Sequence, residues 1–177
     1  MTGTVRLTRI IDDADLERII DDNPGWKIER ASDGSINMSP SAARYGPCVA
    51  ELVGQLRDWN ARSGRPGIVF GSVTGFTMPD GVATKAPDAS WISRERAAAV
   101  PDVDKDTFAP IVPDVCVEVA SKTDSWSITR KKVEGYRTDG ARYAVALDPR
   151  TREVYELGEP PPGLHFDFDA VFDAAWR

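Results

Sequence analysis

Within the segment Val112-Pro113-Asp114-Val115-Cys116-Val117-Glu118-Val119-Ala120-Ser121, Val115 to Ala120 reads as a buried β-strand that carries one charge in its interior. Side chains alternate along a strand, so Val115, Val117 and Val119 take one side and Cys116, Glu118 and Ala120 the other. A carboxylate in such a strand costs on the order of several kcal/mol unless it is paired or bound to a metal. Glu118 is therefore one of three things: a strand-end residue reaching solvent, a salt-bridge partner of the following helix, or part of a functional site.

Outward from this strand the chain alternates short strands and helices. Downstream, Ser127 to Thr138 reads as a helix closed by Gly140, and Tyr143 to Leu147 as the next strand, so Val115 to Leu147 is a β-α-β crossover. Glu153 to Leu157 is a further strand after the turn Asp148-Pro149-Arg150, and His165 to Trp176 reads as a last strand and helical turn. Upstream, strands are predicted at Ile68–Phe70, Gly75–Met78 and Asp88–Ile92, with a surface helix at Ser93–Val100 and a polar loop at Pro101–Pro113. Pro47 to Trp59 is a helix with the apolar stripe Val49, Leu52, Val53, Leu56 and Trp59. Before it lie a helix over Asp12–Asp22, whose first-turn aspartates suit the positive helix start, and strands at Lys27–Arg30 and Ile36–Met38 around the turn Asp33-Gly34. The pattern is α+β, with helices outside a mixed sheet.

Composition excludes several classes of function. The chain has 177 residues, 41 % hydrophobic and 28 % charged, with a formal net charge of −6. That is ordinary for a protein with a core of its own. Cys48 and Cys116 form no Cys-x-x-Cys cluster, and a single histidine, His165, excludes any two-histidine site. No nucleotide-binding glycine loop and no Gly-x-Ser-x-Gly elbow is present. Residues Met1 to Ile11, with Arg6 and Arg9, lack a signal-peptide or membrane-spanning stretch, so the expectation is a cytoplasmic protein with no membrane partner. The acidic balance argues against a nucleic-acid coat protein. One basic stretch stands out, Ser127 to Arg142, where Arg130, Lys131, Lys132, Arg137 and Arg142 oppose Glu134 and Asp139; it is either a solvated helix face or a phosphate-facing one.

Carboxylates remain as the chemistry. Asp88, after Pro87 at a strand entry, is the natural partner for Glu118, and the two together suit one divalent cation. Magnesium fits, because it takes oxygen ligands, keeps several waters and needs only one or two carboxylates.

Lys85-Ala86-Pro87-Asp88-Ala89-Ser90-Trp91-Ile92 followed by the Val112–Ser121 segment resembles the Uma-type restriction endonucleases, a family placed in the PD-(D/E)XK nuclease superfamily. The resemblance continues through Thr123-Asp124-Ser125, Lys132-Val133-Glu134-Gly135-Tyr136, Gly140-Ala141-Arg142, Asp148-Pro149 and Val154-Tyr155. Upstream it takes in Asp33-Gly34, Met38-Ser39-Pro40, Glu51-Leu52 to Trp59, and Ser72 to Gly81, so it spans about residues 24 to 158. It implies a restriction-endonuclease-like core: a mixed four- or five-stranded sheet flanked by helices, in a single domain over 1–177 with a helix and hairpin extension at 1–39. Asp88 then resembles the superfamily aspartate and Glu118 the (D/E) of the last motif. Glu51 resembles the acidic residue of the first core helix, although it lies opposite that helix's apolar stripe.

The chain departs from the motif at Ala120, where the superfamily has lysine. Lys132, on the helix after Glu118, is the expected substitute; Ile128, Lys132 and Gly135 share a helix face, and apolar Ile128 is expected to turn that face to the sheet. Lys122 ranks second, and Asp114 is an outer ligand or cap. The resemblance thus implies an endonuclease, a hydrolase that binds DNA and cuts phosphodiester bonds with a magnesium-bound (or manganese-bound) water. Asp88 and Glu118 would hold the metal, Lys132 would position the water, and Arg130, Lys131 and Arg137 would meet the phosphate backbone. A homodimer is expected by analogy, since cutting both strands profits from two related sites. The alternative is a nuclease-fold binding or regulatory module that has lost hydrolysis, as Ala120 and the net charge suggest. A carboxylate-pair glycosidase with Trp91 and Trp126 as sugar platforms is a third and weaker reading.

Overall fold

In the computed structural model, residues 3–5, 11–40, 43–122 and 124–176 are described, so Arg6, Arg9 and Thr123 of the sequence reading lie outside the described residues. The quoted segment supplies β8 (Val115–Val119), all five residues of which are buried. It is the middle strand of a five-stranded sheet that also contains β10 (Glu153–Gly158), β9 (Tyr143–Asp148), β7 (Ala89–Ser93) and β4 (Gly67–Gly71), in the order β10-β9-β8-β7-β4. β8 runs parallel to β9 and antiparallel to β7, so the sheet is mixed, as the resemblance implies.

Both faces of this sheet are covered, which is why β8 reads as an almost unbroken apolar run. On the valine face, Val115 and Val117 pack with Val145 and Leu147 against Cys48, Leu52, Leu56 and Trp59 of α2 (Gly46–Arg62) and Val171 and Phe172 of α5 (Phe168–Asp173). On the other face, Cys116, Ala144 and Ala146 meet Val133 and Tyr136 of α4 (Trp126–Asp139). The Ser125 hydroxyl accepts from the Ile128 N–H to start α4, and Gly140, at φ 115°, ends it in a left-handed turn that favours glycine.

A second sheet of short strands has the order β1-β3-β2-β6-β5: β1 (Gly3–Val5), β3 (Ile36–Pro40), β2 (Trp26–Arg30), β6 (Thr84–Lys85) and β5 (Phe76–Thr77). Ile28 and Ile36 from its hairpin pack with Ile11 and with Leu16 of α1 (Asp13–Asp22). Pairing alternates along β2: Ile28 and Arg30 are buried on one side, while Lys27 and Glu29 face the other. From β6 the chain passes through Ala86-Pro87-Asp88 directly into β7, so Asp88 stands at the corner where the two sheets meet.

Three sequence expectations are corrected. The strand at Gly75–Met78 shrinks to β5 and belongs to the second sheet. The loop at Pro101–Pro113 contains a 3-10 turn over Asp102–Lys105, after the short helix α3 (Arg94–Ala98). No strand forms at His165, because the Asp167 carboxylate accepts from the Ala170 N–H and starts α5 instead. Among the described residues no helix is long and apolar enough to cross a membrane.

Candidate active site

Five charged side chains meet above the face of β8 that carries Glu118. Asp88 is fixed by the strand beside it: its N–H donates to the Val117 carbonyl at 2.9 Å, and its Oδ2 accepts from the Val119 N–H at 2.8 Å. That leaves Oδ1 aimed at the Lys27 ammonium, 2.7 Å away. Glu118 is 4 % exposed. Its Oε1 accepts from the Tyr136 hydroxyl at 2.9 Å and pairs with Lys132 Nζ at 3.0 Å, and its Oε2 lies 3.6 Å from Lys27 Nζ. Glu29 completes the group, with Oε1 accepting from the Ala86 N–H at 2.7 Å and Oε2 2.7 Å from Lys132 Nζ.

Three carboxylates and two ammonium groups leave the cluster one negative charge in excess. Burial raises the proton affinity of each carboxylate, and the neighbours decide the outcome. For Asp88 the Lys27 ammonium, then Lys132, outweighs burial and holds the carboxyl below its ordinary value. Glu29 is lowered in the same way, burial being overcome by Lys132 and Lys27. Glu118 goes the other way: burial, reinforced by the charges of Asp88 and Glu29, outweighs both lysines and pushes it up. Burial alone would lower Lys27 and Lys132, but the facing carboxylates raise both. The site thus keeps Asp88 ionised and makes Glu118 the easier carboxylate to protonate.

The cluster lies in a cleft of about 1240 Å³ whose walls come from β2, α2 and the start of α4. Trp26, Val73 and Ile128, all exposed large apolar side chains, stand along it, as does the exposed Lys131.

Asp88, Glu118 and Lys132 are therefore brought together. The helix-face argument for Lys132 is corrected: Ile128 is 59 % exposed, and the buried stripe of α4 is Thr129, Val133 and Tyr136. Lys132 reaches Glu118 from the margin of that stripe. Three secondary candidates are not brought to the cluster. Glu51 accepts from Gln55 one turn along α2. Asp114, fully buried, is held by Arg96 at 2.9 Å, Arg142 at 3.1 Å and the Ser93 N–H at 2.8 Å, so it is a structural anchor at the far end of β8. Lys122 is exposed, and its carbonyl accepts from Arg150. Within the basic stretch, the Arg130 guanidinium stacks over the Tyr155 ring at 4.2 Å, while Arg137 turns back on the carbonyls of Ala141 and Arg142. Trp91 is 5 % exposed and packs edge-on to Trp59 at 5.1 Å, so it offers no sugar platform. His165 is exposed.

Lys27, Glu29 and Tyr136 escaped the sequence reading. In Trp26-Lys27-Ile28-Glu29-Arg30 the alternation puts Lys27 and Glu29 on one face, which in isolation is the signature of a solvated strand face. Only the second sheet, folded against the first, turns that face inward.

Oxygen donors from two carboxylates, both within 3.6 Å of one ammonium, suit a magnesium or manganese ion. Among the described residues no three His, Cys, Asp or Glu side chains are gathered as a metal-binding group, so two carboxylates with water is the donor set on offer.

A family profile described as Uma2, putative restriction endonuclease, matches residues 13–165. A crystal structure described as a putative nuclease belonging to DUF820, from Anabaena variabilis ATCC 29413, is similar in fold, with a TM-score of 0.63 at 17 % sequence identity, covering 83 % of this chain and 90 % of that one. No curated protein matches the chain.

Proposed function

The chain belongs to the Uma2 putative restriction endonuclease family, and on that premise we propose that it is a metal-dependent DNA endonuclease whose site is built from Asp88, Glu118 and Lys132. The observation that carries this reading is the convergence of a half-buried and a buried carboxylate, from the end of one strand and the interior of the next, on a single cation position in an open cleft. Asp88 and Glu118 hold magnesium or manganese. When bound, a divalent ion supplies Lewis-acid stabilisation of a phosphoryl oxygen and a water of lowered pKa. Glu29 and Glu118 hold the Lys132 ammonium between them, which presents a fixed positive charge to the phosphate and orients the attacking water. This cation takes the place of the motif lysine: Ala120 is fully buried on the same strand face as Glu118, and Lys132 approaches that face from the helix above. Lys131, exposed at the cleft, meets the DNA backbone, while Arg130 and Arg137 stay engaged with the Tyr155 ring and the Ala141 and Arg142 carbonyls. The active unit is a homodimer, in which two sites address two strands; light scattering of a dimer mass at micromolar concentration supports this, and a monomer mass contradicts it.

A specific observation favours a second reading, that of a nuclease-fold binding module. Lys27 already neutralises Asp88 at 2.7 Å, and residue 120 is alanine. Incubation of supercoiled plasmid with magnesium or manganese separates the two. Cleavage lost in Asp88→Asn and Glu118→Gln supports the endonuclease, and DNA retention without cleavage supports the module.

A further inference from the structure

Lys27 has no part in the chemistry above, yet its ammonium is in contact with both site carboxylates, 2.7 Å from Asp88 Oδ1 and 3.6 Å from Glu118 Oε2. Its side chain is only 15 % exposed. The Asp88 and Glu118 oxygens it touches are those on the Lys27 side of the cluster. The remaining oxygens are already engaged, Asp88 Oδ2 by the Val119 N–H and Glu118 Oε1 by Tyr136 and Lys132. A divalent ion bridging the two carboxylates needs the volume that this ammonium fills, and two positive charges do not share it.

We infer that Lys27 is a built-in occupant of the Asp88–Glu118 cation position, displaced when a divalent ion enters, so that the N-terminal hairpin sets the metal affinity of the site. The inference rests on the reading that Asp88 and Glu118 hold the metal. Lysine carries its charge on a flexible four-carbon stem, and Lys27 lines the open cleft beside Trp26, which is 42 % exposed. Without the metal, the ammonium offsets the facing charges of Asp88 and Glu118. With it, the ammonium is released into the cleft through which an anionic substrate approaches.

Manganese binding to the full-length chain, followed by calorimetry or electron paramagnetic resonance, tests this without any need for cleavage. Lys27→Met keeps the stem and removes the competitor, so it is expected to bind manganese at least tenfold more tightly than the parent. Lys27→Gln, which keeps a donor for Asp88, is expected to do the same. A readout on the parent protein itself covers the case in which both variants fail to fold. Amine acetylation at Lys27, followed by mass spectrometry, is expected to rise at least threefold on adding manganese, while acetylation of exposed Lys122 stays constant. Equal or weaker metal binding in the variants, Lys27 acetylation indifferent to manganese, or no manganese binding in parent and variants alike overturns the inference. Tighter binding in the variants together with intact plasmid would sustain it while refuting the endonuclease; equal binding with efficient cleavage would do the reverse.

Discussion

Glu118 keeps a charge in a strand interior because three donors reach it: the Tyr136 hydroxyl, Lys132 and, at longer range, Lys27. Removing one partner of such a buried group leaves the others uncompensated, at a cost of about 3–5 kcal/mol for a fully buried pair. Lys132, with a side chain 27 % exposed, pairs with both Glu29 and Glu118. Lys132→Met is therefore expected to lower stability by about 2 kcal/mol, discounted for solvent access, as well as to abolish cleavage. Urea denaturation checks the first effect and plasmid nicking the second; unchanged stability would show that the two ion pairs contribute nothing. The importance of Glu118 was visible in the sequence, because one charge among five apolar neighbours is conspicuous. Lys27 and Glu29 were not, since alternate charges on a short strand look the same whether water or a second sheet faces them.

At the scale of elements, α4 does two tasks with one stripe. Thr129, Val133 and Tyr136 cover the Cys116 face of β8, and the Tyr136 hydroxyl, fully buried at the end of that stripe, donates to Glu118. Tyr136→Phe deletes this donor and is expected to cost about 1–3 kcal/mol of stability, read as a lower urea midpoint. Gly140→Ala tests the end of the helix separately. A Cβ there meets nothing within 4 Å, so only the left-handed φ of 115° opposes it, for an expected loss of about 1 kcal/mol. The two faces of β8 followed directly from its alternation. The face of α4 did not, because placing Ile128 inward gave weight to one apolar residue where Val133 and Tyr136 form the buried pair; Ile128 stands at the cleft instead.

For the whole molecule, the charge cluster fastens one sheet to the other, and it responds to pH at both ends. Asp88 and Glu29 titrate below their ordinary values of 3.8 and 4.5, so their contribution to stability is present above those values and is lost as the pH falls through the lowered ones. Glu118, raised above 4.5, opposes them, since its protonation in acid favours the folded state. Lys27 and Lys132 are raised above 10.5, so their contribution is complete below that value and is lost as the pH climbs through the elevated ones. The melting temperature is therefore expected to hold a plateau between about pH 5 and 10 and to fall on both sides, with a weaker alkaline fall in Lys132→Met. The five-stranded core could be read from the chain because its strands are long enough to show alternation. Of the second sheet only the β2–β3 hairpin could be, because β5 and β6 are two residues each and carry no period. Three of the five site charges come from that sheet's β2 or from the corner that follows β6; Lys27 and Glu29 on β2 were hidden with it, whereas Asp88 was legible from its place after Pro87 at a strand entry.

If Asp88 and Glu118 form one metal-dependent catalytic centre, cleavage of DNA requires both the metal and Glu118. Supercoiled plasmid incubated with magnesium or manganese, alongside a chelated control and the Glu118→Gln variant, tests it most directly. Nicked or linear DNA is expected with the parent protein and metal, and at least a hundredfold slower cleavage with the chelator or with Glu118→Gln. Cleavage that persists undiminished in Glu118→Gln, or plasmid left intact by the folded parent with either metal, would contradict it.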